Sequence, residues 1–129
     1  MDWTAQQQLE ERRRQEECLQ FHLPMPPSAN SIWRSTAGRV YRSAQYVAWH
    51  KRALALMLGL IPMAPRYKVL YEFGRPSRRK MDLGNREKAL SDALQAAGVI
   101  TDDSLIVDLQ LRWAEDVPGG EVRVSIWTV

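Results

Sequence analysis

The chain has 129 residues, 45% of them hydrophobic, which suits one soluble core and makes a second domain unnecessary. Its net charge of +3 is uneven: residues 1–20 carry three Arg against five acids, leaving 15 Lys and Arg against 10 acids for the rest. A basic body is compatible with a polyanionic partner, and no apolar run approaches the roughly 18 residues of a membrane span.

Residues 1–18 are rich in Gln, Glu and Arg and read as a polar N-terminal extension, a solvated helix or frayed tail. The run Arg12 to Arg14 is flanked by Glu10, Glu11, Glu16 and Glu17, which cancel much of its field. No basic-then-apolar leader is present, so a cytoplasmic location is expected. Cys18 is the only cysteine, so no intrachain disulfide forms. With only His22 and His50 beside it, a four-ligand zinc site is ruled out.

The domain proper is expected over residues 19–129. Leu19, Phe21 and Leu23 alternate with Gln20 and His22, which predicts a strand. The segment Pro24 to Asn30 then interrupts regular structure, and the stretch to Arg42 reads as a long loop with Gly38 available for a turn. Ser43 is a candidate N-cap for a helix from Tyr46 to Leu60, with Val47, Leu54 and Leu58 on its apolar face and Gly59 and Pro62 ending it. Tyr67, Val69, Tyr71 and Phe73 alternate into a second strand. A basic run follows, Arg75 to Lys80, with four basic residues in six.

The next helix is expected from about Asp82 to Ala97, ended by Gly98. Two strands, Leu105 to Trp113 and Glu121 to Thr128, then turn at Pro118 to Gly120. The order β-α-β-α-β-β implies a single-domain α+β fold: a mixed or mostly antiparallel sheet with two main helices packed on it.

The chemistry concentrates between Arg75 and Asp103. On a helix at about 100° per residue, Leu83, Leu90, Leu94 and Ala97 share an apolar face, whereas Asn85, Lys88 and Asp92 fall on another with Asp82 at its start. Taken singly, Asp82 reads as a helix cap, Glu87 and Lys88 as surface charges, and Asp102 and Asp103 as a turn. Taken together, the carboxylates come from two elements that the chain brings back near each other. Such acids suit Mg²⁺ or Mn²⁺, and a basic loop upstream suits the phosphodiester such metals attack.

In order and spacing the chain resembles the RusA family of Holliday-junction resolvases. The resemblance is carried by the loop residues Pro26, Pro27, Ser28 and Asn30, by Asp82, Leu83, Asn85, Lys88 and Ala89, by Asp92, Ala93 and Leu94, and by Asp102, Asp103 and Asp108. It covers roughly residues 19–128. It implies a metal-dependent endonuclease that resolves four-way DNA junctions by paired nicks in recombination and repair, in a bacterium or a phage, as a homodimer. By the same resemblance Asp82 and Asp103 are expected metal ligands and catalytic residues with Asp102 beside them, the metal being Mg²⁺ with Mn²⁺ as substitute. Lys88 is expected to be catalytic. Arg75, Arg78, Arg79, Lys80 and Asn85 are expected to hold DNA.

One departure stands out. The family pattern carries a second acid where this chain has Gly84. Water, Asp102 or Glu72 from the preceding strand are the candidates to compensate. Without compensation the chain would be an impaired, junction-binding protein on the same scaffold. Of the five tryptophans, Trp33 lies beside Arg34 and Arg39 and has two readings: stacking on an unpaired base, or docking against a partner subunit.

Overall fold

Tyr67, Val69, Tyr71 and Phe73 are completely buried, and their period of two makes β4 (Tyr67–Phe73) the central strand of the molecule. The computed structural model describes residues 4–9 and 18–129. In chain order it contains β1 (Leu19–Pro24), a 3₁₀ turn (Ala29–Ser31), β2 (Trp33–Thr36), β3 (Arg39–Arg42), α1 (Ala44–Leu56), β4, α2 (Gly84–Ala96), a second 3₁₀ turn (Asp103–Leu105), β5 (Ile106–Trp113) and β6 (Glu121–Thr128). Residues 5–9 are helical and exposed. The Arg12 to Arg14 run lies outside the described residues.

Four strands form a mixed sheet in the order β1-β6-β4-β5. β6 runs antiparallel to both β1 and β4, and β5 runs parallel to β4, with α2 as the crossover between them. The register aligns one apolar layer: Phe21 opposite Val124, Val124 opposite Tyr71, and Tyr71 opposite Leu111. Both helices close this layer, α1 through Tyr46, Trp49 and Ala53, α2 through Ala89, Leu90, Ala93 and Leu94. Ser43 caps α1 as expected, its Oγ accepting from Tyr46 N at 3.2 Å. Gly98, at φ +76°, ends the turn after α2, where Val99 N reaches back to Leu94 O.

The α+β class, the mixed sheet and the two helices match the expected order. Three local expectations do not hold. The loop expected before Arg42 contains the β2–β3 hairpin, paired Trp33 to Arg42 and Thr36 to Arg39. Its two-residue turn, Ala37 and Gly38, has positive φ at both positions (52° and 76°), the geometry that joins tightly twisted strands. α1 stops at Leu56 rather than Leu60, and Gly59 adopts φ +88° beyond it. Its buried stripe is Tyr46, Trp49, Ala53 and Met57, leaving Val47 53% and Leu58 87% exposed.

The third correction concerns Glu72. Alternation along β4 turns it to the sheet face away from the helices, where it is nonetheless only 4% exposed. Its Oε2 accepts from Arg112 Nε and Nη2 at 3.1 and 2.8 Å, and its Oε1 accepts from Arg123 Nε at 2.9 Å. Arg123 also binds Asp116, at 2.8 Å. The network explains how a carboxylate is buried on a strand: each oxygen meets a guanidinium. It also commits Glu72 to the wrong side of the sheet to replace an acid at position 84.

The Arg123 hydrogen bond, with Arg112 adding and burial opposing, holds the Glu72 carboxyl below its ordinary value of 4.5. A depressed native pKa gives stability that is fully present above the unfolded value and is lost as pH falls through the native one. Glu72→Gln is therefore expected to cost about 1–3 kcal/mol at pH 7 and to make stability less sensitive to acid below the ordinary glutamate value. Urea titrations at neutral and acidic pH measure both effects.

Candidate functional site

Successive turns of α2 put Gly84, Glu87, Lys88, Ser91, Asp92 and Gln95 on one stripe beside the buried face. Lys88 is the pivot. Its Nζ lies 3.1 Å from Asp92 Oδ1 on the next turn and 3.9 Å from Asp103 Oδ2 in the 3₁₀ turn after the helix. That turn is anchored to the same stripe, since Asp103 N donates to Gln95 Oε1 at 2.9 Å. Carboxylates, Asp92 first and then Asp103 and Glu87, raise the Lys88 pKa above its ordinary value, so the amine stays a cation.

Beneath the stripe the core reaches up to it. The Tyr71 hydroxyl is 2.9 Å from Ser91 Oγ, and Ser91 Oγ donates to Glu87 Oε1 at 2.6 Å. Ser91 has one hydroxyl proton, so Tyr71 is the donor to Ser91 and the chain runs Tyr71 to Ser91 to Glu87. Burial above all, and then the charges of Glu87, Asp103 and Asp92, push the Tyr71 pKa up against the opposing Ser91 bond, keeping the phenol protonated as that donor. On the α1 side, Arg42 Nη1 donates to the Tyr46 hydroxyl at 3.2 Å. Asp92 and Lys88 act electrostatically on that same phenol, whose pKa is raised mainly by burial.

Asp82 and Asp102 are each bound to the backbone of their own turn. Asp82 Oδ1 accepts from Gly84 N, and Asp102 Oδ1 from Ser104 N, both at 2.9 Å. The helix is capped at Leu83, so Asp82 stands just before it, exposed. A Cβ added to Gly84 would lie 3.2 Å from Asp82 Oδ1, close enough that the Asp82 side chain must give by a few tenths of an ångström. Among the described residues, no three His, Cys, Asp or Glu side chains are gathered as a metal site. The donors present are hard carboxylate oxygens. Mg²⁺ commonly takes one or two of these and completes its shell with water and substrate phosphate, so this open set is compatible with it.

The expected DNA-binding residues lie with Asp82 at the start of α2, beyond the Phe73 end of β4, whereas the turn with Asp102 and Asp103 leads into β5 at the end paired with Tyr67. Arg75, Arg78, Arg79 and Lys80 are exposed on the loop before α2, and Asn85 sits partly buried in its first turn. The loop is fixed at its root by Gly74, whose N donates to Glu121 O and whose O accepts from Gly120 N. A side chain there would collide with the Val117 and Pro118 carbonyls. The Arg75 guanidinium stacks on Trp113, 4.1 Å from the ring centroid. Arg86 Nη1 donates to Pro26 O at 2.6 Å, tying the proline loop to α2. In the sequence Glu87 reads as an ordinary surface acid, and neither Ser91 nor Tyr71 stands out as support for a site. The spacing of Gly84, Glu87 and Ser91 carried the signal for the first two.

Residues 24–126 match the family model described as Endodeoxyribonuclease RusA. The crossover junction endodeoxyribonuclease rusA of Enterobacteria phage 82 is 35% identical over 107 residues, covering 81% of this chain and 89% of that protein. The proteins of the same name from Escherichia coli K12 and Shigella sonnei are 34% identical with the same coverage.

The hydroxyl chain under the stripe can be tested without DNA. Tyr71→Phe is expected to cost about 1 kcal/mol, and Ser91→Ala, which unlatches both neighbours, about 1–2 kcal/mol. Denaturant unfolding measures each, and two neutral substitutions would mean the chain does not hold the stripe.

Proposed function

The chain belongs to the RusA family, and from that premise we propose that it is a metal-dependent endonuclease that binds four-way DNA junctions and resolves them by paired, symmetric nicks, in recombination and repair. The observation that carries the reading is the Lys88 ammonium held between Asp92 and Asp103, on the helix that follows the basic loop.

Asp82 and Asp103 would hold Mg²⁺, or Mn²⁺ in its place, with Asp102 adjacent. When bound, such an ion supplies an activated water and polarises the phosphate. Lys88, whose cationic form its carboxylate neighbours favour, meets the negative charge that develops on the scissile phosphate. Arg75, Arg78, Arg79 and Lys80 grip backbone phosphates, which positions DNA without reading its bases, and Asn85 orients phosphate from the first turn of α2. Glu87, one turn beyond Gly84 and latched by Ser91, is the acid best suited to make up for the missing one. A homodimer would present two equivalent centres to the two-fold junction. Relatives in bacteria and a phage fit a cytoplasmic setting.

Gly84 supports a second reading, a junction-binding protein without cleavage. Incubating a labelled four-way junction and a linear duplex with purified protein and Mg²⁺ separates the two. Paired nicks in the junction alone are expected. Asp82→Asn and Asp103→Asn should abolish them with binding retained, and Lys88→Met should slow them by about 10²–10³-fold. Binding without nicks would favour the second reading, and no binding would overturn both.

A further inference from the structure

The β2–β3 ribbon does nothing for the core. All eight of its strand residues are exposed, among them Trp33 at 54%, Val40 at 69% and Tyr41 at 48%. A lone two-stranded ribbon is marginal in water, and large exposed apolar side chains on one signal a surface that meets something else. The segment Trp33 to Arg42 contains three arginines and no acid. Its register sorts them: Arg34, Thr36, Arg39 and Tyr41 share one face, Trp33, Ser35, Val40 and Arg42 the other.

We infer that this ribbon is a DNA-gripping arm: Arg34 and Arg39 bind backbone phosphates of one duplex arm, and Trp33 stacks on a base unpaired at the branch point. The inference rests on the branched-DNA reading above and extends it to an element outside the catalytic stripe. Three observations carry it. The charge is of one sign, complementary to phosphate and unsuited to pairing the ribbon with a second copy of itself. The Arg42 guanidinium lies over the Trp33 ring, 5.5 Å from its centroid, which braces that ring while more than half of the residue remains exposed. The root of the ribbon is continuous with the stripe, because Arg42 also covers the Tyr46 ring at 4.8 Å and binds its hydroxyl, and the 3₁₀ turn before β2 packs against α2. The ribbon therefore adjoins the helix that DNA is proposed to cross. Base stacking on aromatics is tolerant of sequence, and a β-ribbon is narrow enough to enter a major groove.

The test measures binding of the full chain to a four-way junction against salt, with 2-aminopurine at the branch point. Replacing Arg34 and Arg39 with Ala should weaken binding and make the slope of log K against log salt shallower by about 2, since each phosphate released counts about 0.9. Trp33→Ala should abolish the fluorescence change at the branch point while circular dichroism stays unchanged. Wild-type binding with an unaltered slope and fluorescence in these variants would overturn the arm and leave the parent reading intact. Weakened self-association at unchanged DNA affinity would also overturn it, making the ribbon a protein interface. If the wild type bound no junction, the parent reading would fail, and the arm with it.

Discussion

The Tyr71 hydroxyl is buried at the centre of the sheet, and a buried hydroxyl must find a partner. It finds Ser91, and Ser91 finds Glu87. This one requirement couples the apolar layer to the polar stripe of α2, because the helix cannot rotate without orphaning the phenol. Leu90 and Leu94 hold the helix from the apolar side, and Tyr71 fixes which residues face out. Lys88, Asp92 and the Gln95-anchored Asp103 follow from that rotation.

Charge is distributed by face. Glu72 is neutralised on the far side of the sheet by Arg112 and Arg123, which keeps its carboxylate away from the helix side. On the helix side Lys88 joins Asp92 and Asp103, Asp82 and Asp102 accept from backbone amides of their own turns, and the loop before the helix is basic and exposed. Gly84 removes one acid from the centre, and the side chain on its own stripe one turn later is Glu87.

Much of this was readable from residues alone. β4 is legible in the alternation of Tyr67, Val69, Tyr71 and Phe73, and α2 in the separation of Leu90 and Leu94 from Lys88 and Asp92. The β2–β3 hairpin escaped because its strands have no buried face to alternate and its turn uses Ala37 rather than Asn or Asp before glycine. Periodicity alone does not decide the inward face of α1, because Tyr46 and Trp49 compete for the core with Val47 and Leu58 on adjacent stripes. Tyr71 read as one more core aromatic, since nothing in its own segment reveals that Ser91 lies above it. Likewise the role of Glu72 depends on Arg112 and Arg123, 40 and 51 residues away.

The proposed function turns on Asp82 at the start of α2 and Asp103 in the turn after it binding a divalent cation together. Titrating the isotopically labelled protein with Mn²⁺ and following amide signals tests it most directly, since a paramagnetic ion broadens only what lies near it. The account predicts that signals of residues 82–88 and 102–104 broaden first, and that Asp103→Asn suppresses the effect. Broadening that begins around Asp108 or Asp116, or none at ion concentrations that support cleavage, would contradict it.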